Sequence, residues 1–105
     1  MSDVLETAPS RSPMVHDLKC WPEYFAAVRD GFKPFEVRKN DRDFRVGDTL
    51  RLWEYDPALA LHTGKYFHRR VTYALAGGQF GVEDGFVVLG LSVTKQDLGD
   101  GDSKA

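Results

Sequence analysis

Short runs of strand-type residues, most of them followed within a few residues by glycine, proline or asparagine, constrain the fold of this chain more than any other feature. Apolar and polar residues alternate in several of these runs, which is typical of a sheet with one face on a core. The runs are Val15–Lys19, Phe35–Arg38, Thr49–Tyr55, Tyr66–Tyr73 and Phe86–Val93. Their number and spacing predict a sheet of about five or six short strands.

One helix is predicted between the first two runs. Pro22 suits the first helical turn, where its missing N–H needs no partner. Tyr24, Phe25 and Val28 follow at helical spacing, and Gly31 is placed to cap the C-terminus. We therefore predict an α+β domain in which a small β-barrel curls against one main helix.

The composition allows a single domain. The chain has 105 residues, and we expect disordered tails over 1–13 and 96–105 around a folded domain over 14–95. The net charge is −2, but five of the 16 acidic residues and two of the 14 basic ones lie in these tails. The domain itself then has a net charge of +1 and can present a basic face.

Several classes of protein are disfavoured by the sequence. The lone Cys20 cannot form an intramolecular disulfide and is compatible with a reducing cytoplasm. No apolar run reaches the ~20 residues of a membrane helix, and the first residues lack a secretory signal. His16, Cys20, His62 and His68 lack the paired spacings of a zinc site. We expect a cytoplasmic monomer without metal, cofactor or membrane association.

The run around Glu36 carries the most distinctive polar pattern. Glu36 and Arg38 lie two apart on a strand and share one side, roughly 7 Å apart, with Lys33 just before them. Phe35 and Val37 are expected to point to the core. Two cationic donors around one carboxylate can form hydrogen bonds with the polar edge of a ring or with a phosphate. The alternative is a structural ion-pair cluster at a sheet edge, which contributes little to stability.

Aromatic residues give a second candidate surface. Arg51, Trp53 and Tyr55 share one face of their strand, and an arginine beside aromatics suits base stacking with phosphate contact. Trp53 is equally compatible with the core. Trp21, next to the helix, is expected to be a packing residue.

Further basic residues are candidates for phosphate contact. Lys65, His68, Arg69 and Arg70 form a second basic group, which a solvated edge would explain equally well. Asn40 and Arg42 lie in the charged turn after the Glu36 strand, where Asn40 can also cap the turn.

These residues resemble a known family. The order Gly31-x-Lys33-x-x-Glu36-x-Arg38, followed by a Gly47-Asp48 turn, is similar to the G-x-K-x-x-E-x-R signature of ASCH domains in the PUA-like superfamily. The longer pattern resembles a phage and bacterial branch of ASCH-like proteins over residues 15 to about 93. Its further motifs are His16-x-Leu18-Lys19, Pro22-x-Tyr24-Phe25, Lys39-Asn40-Asp41-Arg42-x-Phe44, Thr63-Gly64-Lys65, Val71-Thr72-Tyr73 and Gly78-Gln79-Phe80-Gly81.

The resemblance implies a barrel with a cleft beside the signature strand that binds RNA or modified nucleobases. Some ASCH relatives are amidohydrolases that deacylate cytidine with a lysine, a threonine and a glutamate. Lys33 matches the lysine, Glu36 occupies the threonine position, and Glu83 is the only nearby candidate for the glutamate.

Three functions remain open from the sequence. The first is a module that binds RNA, a nucleoside or a nucleotide. The second is an amidohydrolase acting on N4-acetylcytidine or a similar nucleoside, in which Lys33 polarises or attacks and Glu36 moves protons. The third is a phage protein that binds a host protein. The expected ligand-binding residues are Lys33, Glu36, Arg38, Asn40, Arg42, Trp53, Lys65 and Arg70.

Overall fold

A computed structural model describes residues 11–93 and 100–102 of the chain. Within these residues it has one helix and six strands, which confirms the α+β class. The elements are β1 Val15–Cys20, α1 Pro22–Arg29, β2 Phe35–Lys39, β3 Thr49–Asp56, β4 Leu61–Ala76, β5 Phe86–Leu91 and β6 Asp100–Asp102. No helix in the described part of the chain is long and apolar enough to cross a membrane.

The strands pair in the order β1-β3-β4-β5-β2, and β6 pairs with β4 outside this path. β1 runs parallel to β3, and the other pairs are antiparallel. Backbone pairing among the described strands is therefore that of an open sheet, with β1 and β2 at its ends. The closed barrel predicted from the sequence is not formed by these pairings.

The long strand β4 joins two halves of the sheet. Its residues up to Arg70 pair with β3, and those from Val71 onward pair with β5, with a register shift between Val71 and Tyr73. Inward side chains of both halves belong to one apolar cluster, so the sheet wraps around a single core. Its members are Leu18, Cys20, Phe25, Val28, Phe44, Leu50, Leu52, Phe67, Val71, Val87, Leu89 and Leu91.

Helix α1 packs on this core through Phe25 and Val28, and the rings of Phe25 and Phe67 lie 4.8 Å apart. Gly31 ends the helix as expected, with a φ of +84° that favours glycine. The N–H groups of Gly31 and Phe32 donate to the carbonyls of Val28 and Ala27. This Schellman pairing turns the chain directly into the segment that carries Lys33 and β2.

The carboxylate of Asp48 is buried and fixes the entry to β3. It accepts hydrogen bonds from Arg11 at 2.8 Å, from the His16 ring at 2.8 Å, and from the backbone N–H groups of Met14 and Arg45. Burial raises the pKa of Asp48, but the hydrogen bonds from Arg11, His16 and the backbone outweigh it and hold the pKa well below its ordinary value. The Gly47-Asp48 turn is thus a buried junction.

The predicted tails fall mostly outside the described residues, since 1–10, 94–99 and 103–105 are not described. Two parts of the predicted tails take part in the fold. Arg11 forms the ion pair with Asp48, and residues 100–102 form β6 beside Lys65–Phe67 of β4.

Candidate functional site

A cleft of about 400 Å³ opens between the two edge strands of the sheet, β1 and β2. Its position follows from the open pairing, because no backbone ladder joins these two strands among the described residues. The cleft is lined by Lys19, Cys20, Trp21, Tyr24, Lys33, Glu36, Val37 and Arg38.

Glu36 is the buried carboxylate of this cleft, with only 3% of the residue exposed. Lys33 Nζ donates to Glu36 Oε1 at 2.8 Å, and Arg38 Nε donates to Oε2 at 2.8 Å. The three signature residues predicted from the sequence are therefore brought together. They do not form a solvated edge, because their carboxylate is buried and paired with two cations.

The orientation of β2 differs from the sequence prediction. The alternation is correct, but Glu36 points inward, and Phe35 and Val37 are exposed. Antiparallel pairing places Glu36 opposite the buried Leu89 and Val37 opposite the half-buried Val88. Burial of Glu36 is tolerated because two cations compensate its charge.

Two arginine side chains, one on β2 and one in the turn after it, bond to the backbone of β1. Arg38 Nη2 donates to the backbone oxygen of Lys19 at 2.6 Å, and Arg42 Nη1 donates to that of Asp17 at 2.6 Å. Both acceptors lie on β1, at alternate positions along its free edge. Arg42, predicted as a ligand contact, thus bonds to β1 and does not line the cleft.

The cleft carries an excess of positive charge. Lys19, Lys33 and Arg38 line it against the single carboxylate of Glu36. Cys20 contributes no anion, since burial first and the nearby Glu36 carboxylate second raise the pKa of its thiol to about 12. The electrostatics of the cleft favour an anionic ligand.

Two exposed aromatic rings stand at the rim. Trp21 and Tyr24 are stacked, with ring centroids 6.5 Å apart and an interplanar angle of 22°. Lys33 Nζ lies 5.3 Å from the centroid of the Tyr24 ring. Trp21 is therefore not the packing residue predicted from the sequence; its exposed ring is available for stacking.

Trp53 lies outside the cleft, on the outward side of β3. Its indole N–H donates to Asp17 Oδ1 at 2.7 Å, and its ring packs 4.7 Å from that of Tyr66. Arg51 also donates to Asp17, and this hydrogen bond, with that from Trp53, lowers the pKa of Asp17 to about 2. Arg51 and Trp53 are thus already bonded to an acidic residue on β1.

The remaining predicted contacts also lie away from the cleft. Asn40 is exposed and its N–H donates to Gly85, while Lys65 is exposed on β4. Arg70 lies opposite Thr49, and its N–H donates to Ser92 Oγ. None of these three lines the cleft.

Arg69, a member of the basic group on β4, has a structural role. Arg69 is buried, and its guanidinium donates to the carbonyl of Arg29 at the C-terminus of α1. Among the residues that the structure describes, no three His, Cys, Asp or Glu side chains form a group that could hold a metal ion. The ring of His16 is bonded to the carboxylate of Asp48.

Sequence comparison connects the chain to a known family. Residues 15–91, which span β1 to β5, match the family described as "Domain of unknown function (DUF3850)". A stretch of 58 residues is 38% identical to an uncharacterized 12.9 kDa protein in the GpA 3′ region of Escherichia phage P2. This stretch covers 55% of the chain and 51% of the phage protein, so the chain spans about half the length of that curated relative. Because the family match includes the whole sheet path and the cleft, the chain belongs to the DUF3850 family.

Proposed function

We propose that this protein binds a nucleotide, either free or as an unpaired residue of single-stranded RNA, in the cleft between β1 and β2. One observation carries the proposal: a buried carboxylate, Glu36, is held between Lys33 and Arg38 in a cleft that is also lined by two exposed, stacked rings. The rings can contact the base of a nucleotide, the two cations its carbonyl or phosphate oxygens, and the carboxylate its N–H groups.

Each group has a role that its chemistry suits. Trp21 and Tyr24 offer stacking surfaces for a base, which tolerate any base because each has a π-face. Lys33 and Arg38 can donate to carbonyl or phosphate oxygens. Glu36 accepts one hydrogen bond from Lys33 at Oε1, which leaves a lone pair on that oxygen for an exocyclic amine or ring N–H.

We also propose that the fold is the PUA-like barrel of an ASCH domain, with the gap between β1 and β2 as its ligand entrance. The resemblance at Gly31, Lys33, Glu36 and Arg38 supports this, because all four lie in the continuous segment that leads from the end of α1 into the cleft. Gly31 turns the chain out of α1, and the other three form the ion-pair cluster. The bond from Arg38 to Lys19 draws the two ends of the sheet together.

The amidohydrolase hypothesis has less support. Among the described residues no serine or threonine lines the cleft, and Glu83 lies in the connection between β4 and β5, outside the lining. The one nucleophile candidate besides lysine is Cys20, whose raised pKa keeps it protonated near neutral pH. Binding needs only the groups that are present, so we favour it over hydrolysis.

Fluorescence anisotropy of a labelled, unstructured oligouridylate tests the proposal. We expect binding that weakens with added salt, and a loss of about tenfold or more for Lys33→Ala. Lys65→Ala is the matched control, because it removes the same charge from an exposed position outside the cleft and should change affinity less than about twofold. No anisotropy change at low salt, or equal losses in both variants, would contradict binding of single-stranded RNA in this cleft.

A further inference from the structure

The outward side of strands β2, β5 and β4 forms an apolar surface, which we call the outer face. The register aligns Phe35, Gly90 and Tyr73 in one row and Val37, Val88 and Leu75 in the next. Phe86, opposite Lys39, begins a third row. The outer face is thus built from the side chains of Phe35, Val37, Tyr73, Leu75, Phe86 and Val88.

These side chains are not needed for the core of one molecule. Three of their neighbours along β2 and β5, Glu36, Val87 and Leu89, are buried instead. On the outer face Phe35 is 40% exposed, Val37 51% and Tyr73 64%. Strand β5 is therefore apolar on both sides, a pattern that normally accompanies burial on both sides.

The charge of this region disfavours a nucleic acid as the occupant. Lys39, at one end, is the charged side chain that the register places on the outer face, and Lys33 Nζ lies 5.2 Å from the centroid of the Phe35 ring. From Val71 to Val93 the chain has no lysine or arginine, and it has two acids, Glu83 and Asp84. Depletion of charge around aromatic residues is instead typical of the centre of a homodimer interface.

The area of the outer face is sufficient for a weak, specific contact. With about 200 Å² for a fully exposed aromatic side chain, Phe35 and Tyr73 together present roughly 200 Å². The other four side chains, three of them half-buried, bring the total to roughly 400 Å² per molecule, or about 800 Å² for a pair, which is in the range of weak, transient contacts.

We propose that two copies of this chain associate through their outer faces into a two-fold symmetric, weak dimer. A two-fold contact needs one self-complementary patch, and two sheets packed face to face bury such a patch at a separation of about 10 Å. Val37 also lines the cleft, so the dimer covers one wall of the cleft, whereas Glu36 and Arg38 point to the other side of β2. The dimer replaces the monomer expected from the sequence and does not depend on the proposed ligand.

Sedimentation equilibrium from about 5 to about 500 µM protein tests the dimer, for which we expect a micromolar dissociation constant. Tyr73→Glu places a charge on the outer face at a side chain that is 64% exposed, and it should weaken association at least about tenfold. Leu59→Glu is the matched control, because Leu59 is also 64% exposed but lies in the turn between β3 and β4. It should leave the dissociation constant unchanged, and circular dichroism should show native folding for both variants.

Three results would overturn the proposal: a monomer across the whole range, a dimer that Tyr73→Glu does not weaken, or equal weakening by Leu59→Glu. A dimer that dissociates when sodium chloride is raised to about 0.5 M would also contradict it, because salt screens charged contacts and leaves apolar ones intact.

Discussion

The guanidinium of Arg38 donates a hydrogen bond of 2.6 Å to the backbone oxygen of Lys19, joining the two ends of an otherwise open sheet. The same guanidinium holds the buried carboxylate of Glu36. One side chain therefore fixes both the width of the cleft and the position of its only anion. The stability of this part of the fold and the binding function proposed for it are expected to depend on the same residue.

Arg38→Lys tests this double role, since it keeps the charge but loses the planar fork that reaches two acceptors at once. We expect the free energy of unfolding to fall by about 1–3 kcal/mol, as for hydrogen bonds to charged groups. Arg45→Lys is the control, because Arg45 pairs with Asp43 on the exposed surface and should change stability by less than about 0.5 kcal/mol. Urea denaturation measures both; equal effects would argue against a structural role for Arg38.

Glu36→Gln should destabilise the fold as well as weaken ligand binding. The variant leaves Lys33 and Arg38 facing an amide in a buried position, and breaking a buried ion pair on one side costs about 3–5 kcal/mol. The melting temperature should fall by more than about 10 °C, and any remaining folded protein should bind nucleotides more weakly. An unchanged melting temperature would show that the carboxylate is not the buried centre of the cluster.

Asp48→Asn should make the protein less stable at neutral pH and less sensitive to acid. The folded-state pKa of Asp48 is depressed, so its contribution is present above the unfolded-state value of about 3.9 and is lost as the pH falls towards the folded-state pKa. The difference in unfolding free energy between wild type and Asp48→Asn should be about 3 kcal/mol above pH 5 and should shrink below about pH 4.

Urea titrations at several pH values measure this difference. Asp43→Asn, which changes an exposed carboxylate in the same loop, should show little effect at any pH. A difference for Asp48→Asn that stays constant down to pH 2.5, or one that grows, would contradict the assigned role of Asp48.

Cys20 should react slowly with alkylating reagents in the folded protein. Its pKa of about 12 leaves very little thiolate at pH 8, and we expect iodoacetamide to react roughly a thousandfold more slowly than with an ordinary thiol. The same protein in urea should react at the ordinary rate. Rapid alkylation of the native protein would contradict the raised pKa and would make Cys20 a candidate nucleophile.

The sequence predicted β1 to β5, the helix and the Lys33, Glu36 and Arg38 cluster, because periodicity and local spacing carry that information; β6 lies where a disordered tail was expected. It did not predict which side of β2 faces inward. A two-residue alternation shows that Phe35 and Val37 share a side, and hydrophobicity then suggests burial of that side. The opposite holds here because Glu36 finds two cations within two or three residues of itself.

Residues far apart in the chain explain the other differences. Trp53 was grouped with ligand contacts, but it bonds to Asp17, which lies 36 residues earlier. In the sequence, Asp48 has the pattern of an ordinary turn residue. In the structure, the parallel pairing of β1 with β3 brings Arg11 and His16 into contact with it. Such pairings depend on tertiary structure, and no local pattern encodes them.

The most direct measurement of the central claim is a ¹⁵N-correlation titration with a nucleoside monophosphate, followed at the two tryptophan indole N–H signals. Trp21 stands at the rim of the cleft, whereas the indole N–H of Trp53 is bonded to Asp17 outside it, and the Trp21→Phe variant assigns the two signals. We predict that the Trp21 signal and the backbone signals of Lys33 to Arg38 shift and saturate, while the Trp53 signal stays in place. Two results would contradict nucleotide binding in this cleft: no shift at about millimolar ligand, or a shift confined to Trp53. A dissociation constant of about 1 mM corresponds to only ~4 kcal/mol of binding free energy.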